Sequence, residues 1–217
     1  NSGLLPYTSR LKFPSESTGD TILCVLPDNL QITPFLKVDA TEDQLIEIRT
    51  DNFYGGSEPH IKAEYITRKG IQEYESYGWM NGNKVRYLIP KGVILLDLKF
   101  RETGFDTEFA GNFTSSDDFL NRIWEKSKRT LYVTMRDNYM DCPDRECAQW
   151  WGDEVNEGGE AFYALCTKSH LLFRKGMYEL IGWQREDSTL FLPVPSANWN
   201  NELPCQMLSS ISYYGFW

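Results

Sequence analysis

The sequence predicts a mixed, multidomain chain: an antiparallel β-sandwich domain over residues 1–111, followed by a helical domain over residues 112–217. Short runs that alternate apolar with polar residues fill the first half, as half-buried strands do. Turn residues punctuate those runs at even spacing, which is the pattern of a sandwich. Near residue 112 the apolar period changes from two to the helical 3.6.

The strand runs are, in order, residues 21–26, 45–49, 61–67, 84–90 and 93–98. Gly55-Gly56, Lys69-Gly70, Asn81-Gly82-Asn83 and Pro90-Lys91-Gly92 stand between them as expected breaks. After residue 112, Ser115 or Ser116 with Asp117 and Asp118 offers an N-cap and an acidic first turn. Phe119, Leu120, Ile123, Trp124, Leu131, Tyr132 and Met135 then recur at helical spacing. A second helix is expected from Asp153 to Leu165. A third is expected after Ser169, with Leu172, Phe173, Met177, Leu180, Ile181 and Trp183 on its apolar side. Residues 187–204 hold Pro193, Pro195 and Pro204 and read as a loop; residues 213–217 form an aromatic patch. Three helices this apolar cannot cover themselves, so their outer stripe is expected to meet further helices, and the sequence reads as cut from a longer chain.

Composition narrows the chemistry. With 22 Lys and Arg against 31 Asp and Glu, the net charge is −9, which disfavours a nucleic-acid partner. No run of about 18 apolar residues exists, so no membrane span is expected. Aromatic residues make up 14% of the chain; they suit sugar rings and equally fill cores. The five Cys (24, 142, 147, 166 and 205) are odd in number and irregularly spaced, so no disulfide framework is read. They contain no Cys-x-x-Cys pair and His60 and His170 lie elsewhere, so buried thiols rather than zinc are expected. Neither a metal nor a cofactor is expected. Residues 1–6 lack the charged and apolar regions of a leader peptide, though a trimmed start reads the same. His170 at a helix start reads as structural. Asn112-Phe113-Thr114 fits the N-glycosylation pattern, which is common by chance.

One segment stands out: residues 136–154 gather Asp137, Asp141, Asp144, Glu146, Asp153 and Glu154 with Arg136, Arg145, Trp150 and Trp151, broken by Pro143 and Gly152. The segment lies between two predicted helices, where loops carry binding and catalytic groups. Carboxylates beside indole rings suit glycosidase chemistry. One acid protonates a leaving oxygen, others grip hydroxyls, and the rings raise the acid's pKa by desolvation. The plain alternative is an acidic, solvated connector with core tryptophans.

The string Asp141-Cys142-Pro143-x-Arg145-Glu146-x-x-x-Trp150-x-Gly152-Asp153 resembles the signature of bacterial family 78 α-L-rhamnosidases. Upstream, residues 78–82 and 98–104 are similar to the β-domain that precedes the catalytic (α/α)6 barrel of that family. The resemblance implies that residues 112–217 are the N-terminal, incomplete part of such a barrel. It implies an inverting hydrolase of terminal α-L-rhamnosides, with rhamnose-containing glycans or glycosides as the carbohydrate substrate. In this matching Glu146 is the general acid, Asp141 and Asp153 hold rhamnose hydroxyls, Arg145 binds hydroxyls or a carboxylate, and Trp150 packs on the deoxysugar. Trp199 is a second candidate sugar-facing ring, or a packing residue. The general base is expected outside this chain, since Glu154, Glu157 and Glu160 follow too closely and read as solvated helix surface; Glu202 is a weaker outsider. Cys147 stands where the family has Arg and Gln149 where it has Gly, which puts the exact sugar in question. The alternative reading is a noncatalytic carbohydrate-binding protein derived from such a hydrolase. A periplasmic or secreted bacterial location is the expectation; the oligomeric state is left open.

Overall fold

The computed structural model describes residues 3–54, 61–144, 147–184, 186, 190–191 and 193–194. The chain divides into two compact units, residues 1–103 and 104–217. No described helix is long and apolar enough to cross a membrane.

The first unit is one antiparallel sheet of eight strands: β1 (Leu5–Pro6), β2 (Ser15–Glu16), β3 (Thr21–Ala40), β4 (Leu45–Thr50), β5 (Lys62–Ile66), β6 (Gly70–Glu75), β7 (Met80–Leu88) and β8 (Ile94–Thr103). A short 3₁₀ turn, Asp51–Tyr54, follows β4. The path through the sheet is β1-β8-β3-β7-β4-β5, with β2 on β8 and β6 on β3. β3 is its spine. Residues Thr21–Val25 and Leu30–Ile32 pair with β7, Gln31–Asp39 with β8, and Phe35–Ala40 with β6. The register shifts between Val25 and Leu30, at Pro27-Asp28-Asn29, where a proline cannot donate to a ladder.

Strict alternation puts Ile32, Leu36, Val38 and Ala40 of β3 inside with Ile46, Ile48, Val85, Leu95 and Phe100. Each such aliphatic side chain contributes about 1.5–3 kcal/mol on burial. Two phenols close the core: Tyr7 and Tyr87 share an O–H···O hydrogen bond of 2.7 Å, and Tyr87 donates to the Phe35 carbonyl at 3.0 Å. Burial pushes both phenol pKa values well up. At the half-buried margin Arg101 grips Glu75 with two bonds, 2.8 and 3.0 Å, and the Thr33 hydroxyl donates to the same carboxylate at 2.7 Å. That holds the Glu75 carboxyl below its usual range, with the Arg101 bond the main cause.

Three expectations are corrected here. β3 runs on to Ala40 and β6 (Gly70–Glu75) exists, beyond the strand runs the sequence predicts; Gly70, expected as a break, is the first residue of β6 and pairs with Ala40. Asn81-Gly82-Asn83 is not a turn but lies inside β7. A methyl at Gly82 would meet Thr50 Cβ at 2.7 Å, so this glycine allows close approach, while Asn83 and Lys84 N–H groups donate to Asp51 Oδ1 at 2.9 and 3.0 Å. Gly55-Gly56 lie outside the described residues.

The second unit contains α1 (Asp118–Val133), β9 (Gln149–Trp150), α2 (Trp151–Ala164), α3 (Lys168–Gly182) and β10 (Pro193–Val194). Asp117 caps α1, its carboxylate accepting from the Phe119 N–H at 2.8 Å. The extended residues before α1 belong with the helices. Gly111 N–H donates to the Ala164 carbonyl at 3.0 Å, Cys166 N–H to the Glu108 carbonyl at 2.9 Å, and Lys168 pairs with Asp106 at 2.9 Å. This explains a unit boundary at 103/104 rather than at the change of period near 112.

α2 and α3 meet through small residues set against large ones. Gly158 faces the Phe173 ring, which a methyl there would meet at 2.5 Å, and Trp151 stacks on Phe173 at 6.2 Å. Leu131, Met135, Tyr139, Ala161, Leu172 and Phe173 form one core; Trp151, Leu180 and Val194 form a second. The outer halves of the stripes stay open: Phe119 is 59% exposed and Ile181 58%. β10 pairs Pro193 with Trp150 and Val194 with Gln149, inside a stretch expected to be wholly loop. His170 packs its ring on Phe162 at 4.3 Å. Residues 213–217 lie outside the described residues.

Candidate functional site

The segment expected to carry chemistry runs from the C-cap of α1 to the first turn of α2. Thr134 caps α1, and its carbonyl accepts from the Met140 N–H at 2.7 Å. This places Asp141 at the start of a loop that returns at Ala148. Two hydrogen bonds close the loop. The Asp141 N–H donates to the Ala148 carbonyl at 3.1 Å, and the Ala148 N–H donates to Asp141 Oδ1 at 3.0 Å. Cys147, just inside the closure, has φ +52°, a left-handed backbone that a non-glycine residue adopts at a cost of roughly 1–2 kcal/mol.

Of the expected site residues, Asp141 is half-buried at the loop's start, Trp150 half-buried in β9, and Asp153 exposed in the first turn of α2. Trp150 leans on the Trp151–Leu180–Val194 core, so one side of the ring is packing. Arg145, Glu146 and Trp199 lie outside the described residues, as does Glu202. Among the described residues no group of three His, Cys, Asp or Glu could hold a metal ion. Cys24, Cys142, Cys147 and Cys166 are free thiols; only Cys24 is fully buried, the other three being half-buried where burial was expected. Burial pushes the Cys147 thiol up to about 12, with Cys142 and Asp141 adding to the effect.

Two of the three acids read as solvated helix surface are not on the surface. Glu160 is exposed, but Glu157 is half-buried and Glu154 fully buried. Trp151, Glu154, Gly158 and Ala161 share the inner stripe of α2 at spacings of three and four, so position 154 faces α3. The signal was in that periodicity; the residue type masked it. Burial raises Glu154 to about 9, with Glu157 and Glu179 adding and Lys175 opposing. Burial also raises Glu157 to about 8, against a hydrogen bond from Thr134; Asp153, Glu160 and Asp141 add to the rise. Glu157 is therefore a third carboxyl beside Asp141 and Asp153. Gln149, expected in the sugar-binding turn, instead buries its side chain, Nε2 donating to the Gly176 carbonyl at 3.4 Å.

The arrangement sets the Asp141–Ala148 closure and a partly packed indole next to an α2 on which burial keeps the Glu154 and Glu157 carboxyls from ionising readily. Carboxyls that stay protonated at neutral pH are the state a proton donor needs.

Residues 108–207 match the model of the bacterial alpha-L-rhamnosidase 6 hairpin glycosidase domain. The fold is similar to that of the family 78 rhamnosidase of Bacillus sp. GL1, with a TM-score of 0.78 and 21% identity, covering 94% of this chain and 22% of that one. It is also similar to the α-L-rhamnosidase of Dictyoglumus thermophilum (TM-score 0.68, 20% identity, 89% of this chain and 23% of that one). The rhamnosidase of Klebsiella oxytoca with rhamnose bound gives a TM-score of 0.64 at 15% identity, over 82% of this chain and 39% of that one. The chain thus spans about a fifth of the length of the first two. No curated protein matches it. Residues 108–207 thus match the six-hairpin glycosidase domain of bacterial α-L-rhamnosidases, and over nearly its whole length the chain has the fold seen in the family 78 rhamnosidase of Bacillus sp. GL1.

Proposed function

We propose that this chain supplies the acid side of an inverting α-L-rhamnosidase, with Glu146 as the general acid that protonates the departing glycosidic oxygen. The observation that carries the reading is the loop closed by Asp141 and Ala148 within a segment matched to the rhamnosidase domain. A fixed base at residues 141 and 148 limits where a carboxyl between them can travel, and proton transfer needs reach before it needs pKa. Asp141 and Asp153 then hold rhamnose hydroxyls, Arg145 a hydroxyl or carboxylate, and Trp150 or Trp199 the apolar face of the deoxysugar. The sheet unit is the β-sandwich domain on this reading, and α1 to α3 open an (α/α)6 barrel. Inversion requires a second carboxylate about 6.5–9.5 Å from the acid to activate water; a later part of the barrel supplies it. A periplasmic or secreted location fits a glycan substrate.

The test is a panel of aryl glycosides offered to the intact protein, with the product anomer followed by NMR. Hydrolysis of the α-L-rhamnoside with β-L-rhamnose as first product supports the reading. Rhamnose binding without hydrolysis would mark a noncatalytic relic instead, and α-L-rhamnose as first product would exclude inversion.

A further inference from the structure

Behind the loop, three buried acceptor oxygens crowd one point. Gln149 Oε1 and both carboxyl oxygens of Glu154 are shielded from solvent and meet no donor among the described residues. They converge on Gly176 of α3. A methyl there would meet the Glu154 carboxyl carbon at 2.7 Å and Gln149 Oε1 at 3.1 Å. The Gln149 amide is already committed, Nε2 donating to the Gly176 carbonyl at 3.4 Å. Ionised, Glu154 would place a charge and three unmet acceptors in the α2/α3 core, the costliest arrangement a core can hold. Protonated, it supplies the donor that the cluster lacks.

The surroundings point the same way. Glu154 is fully buried, and the charged groups around it are Glu157 on its own helix and Glu179 and Lys175 on α3. Tyr139, after α1, is the neighbouring phenol. Lys175 is paired with Glu179 at 2.6 Å. Burial moves the Glu154 carboxyl up to about 9, well into the range where it is neutral at working pH.

We propose that Glu154 is a positioning residue: as a neutral carboxylic acid it latches β9 to α3 through Gln149 and Gly176, and so sets Trp150 and the returning end of the acidic loop. What it positions is named by the rhamnosidase reading; that it latches β9 is not. Ala148, where the loop closes, directly precedes Gln149, and Trp150 directly follows it. Movement of the Gln149 backbone therefore moves both the loop closure and the candidate sugar platform.

The sign of the pH effect follows from the raised pKa. The folded state holds a proton that the unfolded chain releases above about 4.5. The latch's stabilisation is whole below that pH and is lost as pH rises through about 9.

The test compares wild type, Glu154→Gln and Glu154→Ala in the intact protein. It reads Tm from pH 5 to 9.5, and kcat and KM on an aryl α-L-rhamnoside. Glu154→Gln keeps a neutral donor, so it should rescue turnover to within about twofold while Glu154→Ala loses roughly ten- to a hundredfold in kcat with KM little changed. Wild type should lose Tm across that pH range relative to Glu154→Gln. Parallel Tm curves for the two, or Glu154→Gln as impaired as Glu154→Ala at pH 6, would overturn the proposal. Should Glu154→Ala fail to fold, the Tm curves and the Glu154→Gln turnover decide it. A wild type without rhamnosidase turnover sinks the functional reading alone, and the Tm curves still judge the latch.

Discussion

Asp141 and Ala148 bond each other twice, backbone to backbone at 3.1 Å and backbone to carboxylate at 3.0 Å, so the two ends of the acidic segment are held together at residues 141 and 148. Asp141→Ala removes the second bond, and Asp141→Asn keeps an oxygen to accept it while deleting the charge. Asp141→Ala should lower Tm, by about 1 kcal/mol of stability, and cut turnover by roughly a hundredfold. Asp141→Asn should keep the stability. Any turnover it loses then belongs to the charge. Thermal melts and kcat on an aryl rhamnoside separate the two.

The glycines of α2 and α3 invite a contrast. Gly159 has open space around its missing side chain, so Gly159→Ala should stabilise by about 0.5–1 kcal/mol through helix propensity. Gly176→Ala gains the same propensity but drives a methyl into the Glu154 carboxyl. Overpacking at about 1–3 kcal/mol outweighs it. Denaturant titration should show opposite signs for the two.

Glu157 makes stability depend on pH. Its folded pKa is raised to about 8, chiefly by burial, so the unfolded chain releases a proton that the folded state keeps. The contribution is whole below about pH 4.5 and fades as pH rises through about 8. Glu157→Gln should flatten the fall in Tm between pH 5 and 8.5 without shifting the value at pH 5 by much. An unchanged slope in the variant would mean that Glu157 titrates normally.

In the sheet unit, the Tyr87 hydroxyl is tied to Tyr7 and to the Phe35 carbonyl. Tyr87→Phe strands the Tyr7 hydroxyl in the core and should cost about 1–3 kcal/mol in urea unfolding.

Much of the fold was legible because period and burial coincide. The inner stripes of α2 and α3 are apolar where they are inside, and a helix start was legible at residues 115–118, although Asp117 rather than Ser115 or Ser116 is the cap. What misled was residue type read without neighbours. Gly82 looks like a turn and is a point of close approach to Thr50. Gln149 looks like a sugar-binding departure and reaches into the α2/α3 core. Glu154 looks like solvated helix surface, yet occupies the same stripe as Trp151 and Gly158. A carboxyl on an apolar stripe is a contradiction in sequence that only its protonation resolves, and protonation depends on the partners across the interface. The acidic segment was legible as a string that resembles a family signature, Asp141 to Asp153; the burial of Glu154 and Glu157 and the hydrogen bond from Thr134 depend on contacts that the string does not encode.

Glu146→Gln in the intact protein, assayed on an aryl α-L-rhamnoside against wild type, tests the central claim most directly. An amide in place of the acid leaves shape and sugar contacts but cannot give up a proton, so kcat should fall by about 10²–10⁴-fold while rhamnose still binds. Turnover at the wild-type level would contradict the assignment of the acid and, with it, the proposed role of the Asp141–Asp153 segment.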